Sequence, residues 1–120
     1  MSHNSIHCRT WVEISLENLI YNFGVCRDLV GERTVIMAVV KANAYGHGGQ
    51  VVAKTLVENG ANRLAVATLD EALELRKSGI DVPIQILSSS CPLDYEEIIR
   101  NRLIQTVDNE VTANELSLAA

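Results

Sequence analysis

The chain has 120 residues, a formal net charge of −5, 48% hydrophobic residues and 21% charged residues. That length holds one ordinary domain with its own core, and the composition excludes a disordered or low-complexity chain. The acidic balance excludes a general nucleic-acid binder, whose phosphate contacts need clustered Lys and Arg.

Residues 1–10 are polar, lack the apolar stretch of a secretory signal and read as a flexible N-terminus. His3, His7 and Cys8 fall in this segment with no fourth ligand at metal-binding spacing, so no metal site is expected. Residues 11–14 are a short strand or an extended lead-in. Ser15 then caps a helix in which Leu16, Leu19, Ile20, Phe23 and Val30 recur at helical spacing and turn one apolar face inward, with Gly31 placed to end it.

Residues 35–40 are a continuous β-favouring run without polar alternation, the pattern of a strand buried on both faces. It is the longest apolar run and far too short to span a membrane. A loop follows from Lys41 to Gly49, in which three glycines let the backbone turn tightly or approach a ligand. A helix resumes near Gln50 and stops at Asn59-Gly60. The rhythm then repeats: a strand over 64–67, a capping box of Thr68 and Glu71 opening a helix that runs to Ser78 and Gly79, and a strand over 84–87 entered through Pro83. The loop around Ser88, Ser89, Ser90 and Cys91 leads to a helix over 94–100. A strand over 103–107 and a helix starting near Asp108 or Asn109 complete the chain.

Four strands, each followed by a helical pattern, are the signature of βα units on a parallel sheet. An open doubly wound sheet and part of a (β/α)8 barrel produce the same order of elements. The last helix runs to Ala120 without Gly, Pro or a polar tail, so the chain reads as cut short. Three widely spaced cysteines, Cys8, Cys26 and Cys91, fit a reduced, cytoplasmic setting.

Lys41 directly follows the most apolar strand, at the strand end where α/β folds place their ligand sites. A lysine partly desolvated there is biased toward its neutral form, whose amine attacks a carbonyl to form a Schiff base. A lysine at a strand end also commonly extends its ammonium into water, and the residue type alone leaves both readings open. His47 is a candidate acid or base by its chemistry, but between two glycines it more readily shapes the turn. The helix bearing Glu71, Glu74 and Arg76 reads as a solvated face.

Val39-Val40-Lys41-Ala42-Asn43-Ala44-Tyr45-Gly46-His47-Gly48 closely resembles the pyridoxal-phosphate (PLP) lysine signature of alanine racemases, residue by residue. The likeness extends to Thr10-Trp11-Val12-Glu13-Ile14 with Leu16, Leu19 and Asn22, to Leu64-Ala65-Val66-Ala67 with Asp70-Glu71-Ala72 and Leu75-Arg76, and to Ile84-Gln85-Ile86-Leu87. It covers nearly the whole chain and roughly the first third of a typical member. Ser88 departs from it, standing where the family often has glycine.

The resemblance implies a partial TIM-type barrel of parallel strands alternating with helices, with residues 11–120 the N-terminal portion of the PLP-binding barrel domain. It implies that Lys41 holds PLP and acts as one of the two groups moving the substrate's Cα proton. The other group is a tyrosine from the C-terminal domain of a partner subunit in a homodimer. Tyr45 matches the tyrosine that binds the cofactor phosphate, and Leu87 an apolar residue near the cofactor ring. The implied reaction interconverts L- and D-alanine for peptidoglycan synthesis in the cytoplasm, with the 120-residue chain inactive by itself. A racemase of another small amino acid and a PLP-carrier barrel protein are the alternatives.

Overall fold

The computed structural model describes residues 10–120. The flexible segment expected over residues 1–10, apart from Thr10, and the group His3, His7 and Cys8 lie outside the described residues.

Residues 11–14 are an extended lead-in and pair with no strand. The Ser15 hydroxyl accepts from the Asn18 amide at 3.2 Å and opens helix α1, Leu16–Val30. Gly31 closes it at φ 76, its amide donating to the Arg27 carbonyl. The inward face is narrower than the spacing suggests: Phe23 is buried and Leu19 packs on the core, while Ile20 and Val30 remain exposed.

Strand β1 (Met37–Val39) is followed by a single helical turn (Lys41–Tyr45), helix α2 (Gly49–Glu58), strand β2 (Arg63–Val66) and helix α3 (Leu69–Lys77). Strand β3 (Ile84–Ile86), a 3-10 turn (Pro92–Asp94), helix α4 (Tyr95–Arg100), strand β4 (Ile104–Gln105) and helix α5 (Glu110–Ala119) complete the chain. All strand pairs are parallel, in the order β1-β2-β3-β4. Each strand therefore lies beside its sequence neighbour, with none of the reversal that defines a doubly wound sheet. The chain forms an arc of a (β/α)8 barrel.

Register puts Ala38, Leu64 and Ile84 in one row, and Val66 lies beside Ile86 two residues further on, on the same face by the strand period. Leu64, Val66, Ile84 and Ile86 are fully buried in one cluster with Val52, Ala53 and Leu56 of α2, Ala72 and Leu75 of α3, and Tyr95 and Ile98 of α4. Removing each large side chain of this cluster from water contributes about 1.5–3 kcal/mol. The extents of 52 × 40 × 22 Å are those of one sheet layer and one helix layer.

On its other face the sheet is open along β1, while Ala65 of β2 is buried there. Met37 is 39% and Val39 42% exposed, which corrects the expectation that residues 35–40 are buried on both faces. Only Met37–Val39 join the ladder, and among the described residues β1 is an edge strand paired with β2 alone. Strands β3 and β4 are also shorter than expected, β4 most of all, while β2 keeps its length and starts one residue earlier.

Two arginines tie the strand entrances together. Arg27 donates to the carbonyls of Gly31, Thr34 and Gly60 and to the Asn62 side chain, which in turn accepts from the Ile36 amide. Arg76 donates to the carbonyls of Ile80 and Val82, both at 2.8 Å, and to those of Asn101 and Arg102. The α3 surface is thus not simply a solvated face: Arg76 is half-buried and satisfies four backbone acceptors that the strand entrances leave free.

Candidate active site

Lys41 leaves the sheet where the β1 ladder ends, and the Val40 amide still donates to the Ala65 carbonyl at 2.9 Å. The next four residues are all left-handed: Ala42 at φ 50, Asn43 at 54, Ala44 at 52 and Tyr45 at 54. For residues with a Cβ this conformation costs about 1–2 kcal/mol each. The loop was expected to turn at its glycines. Instead the reversal is made mainly by these four residues, and Gly46 and Gly48, at φ 86 and 94, extend it.

Backbone and side-chain hydrogen bonds hold this strained segment. The Gly46 amide donates to the carbonyls of Ala42 and Asn43, that of His47 to Ala44, and that of Gly48 to Asn43. The Asn43 side-chain oxygen accepts from the Gly49 amide at 2.6 Å and so caps the start of α2. Gly49 runs close to the turn: a Cβ there would lie 3.4 Å from Asn43 Cα. His47 Nδ1 lies 2.9 Å from the Ala44 carbonyl and 3.2 Å from that of Tyr45. The imidazole shapes the turn, as its place between glycines suggested.

This turn brings Lys41 and Tyr45 together. Lys41 is half-buried, its Nζ 6.0 Å from the centre of the Tyr45 ring, and Tyr45 is 60% exposed. In a right-handed helix residues four apart share a face through one regular turn; here the left-handed turn puts the amine and the phenol on the same rim of the sheet. Leu87 follows β3 at that rim, its amide donating to the Val66 carbonyl, and its side chain is partly exposed. Ser88 donates through both its amide and its hydroxyl to the Ala67 carbonyl, so the departure from glycine is absorbed by the adjacent strand end.

A cavity of about 540 Å3 opens behind the turn, lined by Ala42, Asn43, Gly49, Gln50, Glu71 and Glu74 among others. Neither Lys41 nor Tyr45 lines it, although Val40 and Ala42 on either side of Lys41 do.

Sequence reasoning missed Glu71 as part of this rim. Its carboxylate accepts from the amides of Ala42 and Ala67, both at 2.7 Å, and it completes the capping box with Thr68. The capping box was legible; the reach to Ala42, across 29 residues, is tertiary.

The family model described as "Alanine racemase, N-terminal domain" matches residues 14–120. The chain belongs to the alanine racemase N-terminal domain family. It is similar to the alanine racemase of Halothermothrix orenii, 50% identical over 111 residues that make up 92% of this chain and 29% of that protein. It is 53% identical to the alanine racemase of Geobacillus kaustophilus over 104 residues, 87% of this chain and 27% of the relative. Among solved structures, the alanine racemase of Clostridium difficile superposes with a TM-score of 0.89 at 38% identity, covering 96% of this chain and 30% of the other. A histidine racemase from Leuconostoc mesenteroides superposes at 0.85 with 28% identity, covering 98% and 32% respectively. The alanine racemase likeness therefore extends over nearly all of this chain and under a third of each relative.

Proposed function

We propose that residues 11–120 form the N-terminal portion of the PLP-binding barrel domain of an alanine racemase, a homodimeric enzyme of the cytoplasm, with Lys41 holding the cofactor. The observation that carries this reading is the half-buried Lys41 at a strand end, its amine 6.0 Å from the Tyr45 ring, on a turn whose strained conformation is held by backbone hydrogen bonds from Ala44, Gly46, His47 and Gly48. Strain maintained in this way at a strand terminus is typical of sites with a task.

The residues present suit PLP. Lys41 Nζ is a primary amine able to condense with an aldehyde, forming a C=N bond and releasing water. The exposed Tyr45 hydroxyl is a donor suited to a phosphate oxygen, and its ring gives an apolar flank. Bound PLP supplies an electron sink that stabilises the negative charge left when a Cα proton departs. With the cofactor held, Lys41 Nζ would be the group that takes or returns that proton on its own side of the substrate. The group needed on the opposite face lies outside this chain, so the 120 residues alone are expected to racemise alanine little or not at all. Among the described residues no helix is long and apolar enough to cross a membrane.

Incubating the chain with PLP, reducing with borohydride and mapping the label by mass spectrometry tests the reading. Lys54 and Lys77 are internal controls. Label concentrated at Lys41, with loss of the visible band in Lys41→Ala, is the expected result; label spread evenly over the three lysines overturns it. The likeness to a histidine racemase favours a second reading, a different amino acid as substrate on the same lysine chemistry. Racemisation of a panel of amino acids by the longer protein separates the two.

A further inference from the structure

The amide of Ala42 belongs to the peptide bond that leaves Lys41. Because that bond is planar, the direction of this N–H fixes the orientation of the Lys41 carbonyl, and with it the angle at which the lysine stem departs from the strand. Within the left-handed turn, the amides of Ala44, Gly46, His47 and Gly48 find carbonyl acceptors in the chain just before them. The Ala42 amide donates instead to Glu71 Oε1 at 2.7 Å.

The second oxygen of the same carboxylate is equally engaged. Glu71 Oε2 accepts from the Ala67 amide at 2.7 Å and the Thr68 amide at 3.4 Å, where the chain has just left β2. One carboxylate thus joins the ends of two neighbouring strands, with an amide pointing at each oxygen. Ser88 fastens the same peptide from the other side by donating to the Ala67 carbonyl. Only a carboxylate satisfies this arrangement: a glutamine of the same shape would turn an NH2 toward one of the two amides.

We propose that Glu71 is a positioning residue for Lys41, acting through the Ala42 amide to set the path of the lysine side chain toward a bound cofactor. This role rests on the proposed function of Lys41 and adds to it a residue on a different βα unit. Glu71 has a second, purely structural task in the α3 capping box, and Thr68→Ala isolates it. That substitution removes the Thr68 hydroxyl, which accepts from the Glu71 amide at 3.4 Å, and leaves the carboxylate free to hold Ala42.

The test uses the full chain and its Glu71→Gln, Glu71→Ala and Thr68→Ala variants. The readouts are the borohydride-fixed label at Lys41 as a function of PLP concentration and the amide NMR signal of Ala42. Loss of one charge-assisted hydrogen bond predicts that both Glu71 variants need about tenfold more PLP for half-labelling of Lys41. Labelling of Lys54 and Lys77 stays unchanged. The Ala42 amide signal shifts upfield and exchanges faster in both Glu71 variants, while Thr68→Ala labels within about twofold of the parent. Glu71→Gln labelling like the parent, or Thr68→Ala losing as much as Glu71→Gln, overturns the role. A parent chain unlabelled at Lys41 overturns the proposed function itself, whereas a labelled parent with an unaffected Glu71→Gln overturns only the role of Glu71.

Discussion

Arg76 Nε on α3 donates to the carbonyl of Asn101 at 3.0 Å, joining two βα units that are 25 residues apart in the chain. Three further carbonyls, those of Ile80, Val82 and Arg102, complete its shell. Desolvation lowers the Arg76 pKa, and the nearby Asp81 opposes that. Replacing Arg76 with alanine strips four acceptors at once. A loss of about 2–3 kcal/mol is expected in urea unfolding. Arg76→Lys recovers only part of it, because one ammonium cannot reproduce the planar fork. A variant as stable as the parent would show that water replaces the clamp at no cost.

Tyr95 provides a pH signature. Burial raises its pKa above the usual tyrosine value, and the Glu115 carboxylate, accepting its hydroxyl proton at 3.2 Å, adds to the shift, against a smaller opposing effect of Thr112. The folded state thus holds this proton at pH values where the unfolded chain has released it. The stabilisation is complete below the unfolded value of about 10 and is lost as pH rises through the folded value. Unfolding free energies measured between pH 8 and 11 should fall more steeply for the parent than for Tyr95→Phe. Parallel profiles would remove Tyr95 from the account.

The left-handed turn predicts opposite effects at a single position. Ala42 is exposed and sits at φ 50, so Ala42→Gly relieves the Cβ strain while loosening the unfolded chain, for a net gain of about 0.5–1 kcal/mol. Ala42→Val, branched at Cβ, loses stability instead. Thermal unfolding of the two variants checks the sign, and a stabilised valine variant would contradict the assigned backbone.

Met37 and Val39 lie on the open side of an edge strand. Apolar edges of this kind pair with other chains, so the isolated 120 residues should self-associate at micromolar concentration. Met37→Lys should shift the sedimentation profile toward the monomer. A parent chain that sediments as a monomer at high concentration would count against an adhesive edge.

The parts of this fold that were legible in the sequence are those decided within a few residues. Ser15, Gly31, Thr68 with Glu71, and Asn109 each act on a helix end in their own neighbourhood, and the structure places them there. Lys41 and Tyr45 were singled out by a ten-residue motif, and the structure puts both on one turn, 6.0 Å apart from amine to ring centre. Apolar runs overstated the strands, because hydrophobicity reports burial and the ladder ends where a neighbour ends: β4 keeps only Ile104 and Gln105. Arg76 and Glu71 looked like surface charge because their partners are backbone groups, which have no signature in side-chain order. Their acceptors and donors become visible only when distant strands are brought side by side.

The self-contained bonding of the turn after Lys41 has a consequence for its time course. Although this stretch is rich in glycine and borders solvent, the amides of Ala44, Gly46, His47, Gly48 and Gly49 all have acceptors within the segment or at its edge. Deuterium should therefore enter it late, after the ends of α1 and α5 have exchanged. A rim this slow to open keeps the Lys41 backbone in place and leaves movement there to the side-chain bonds of the lysine alone.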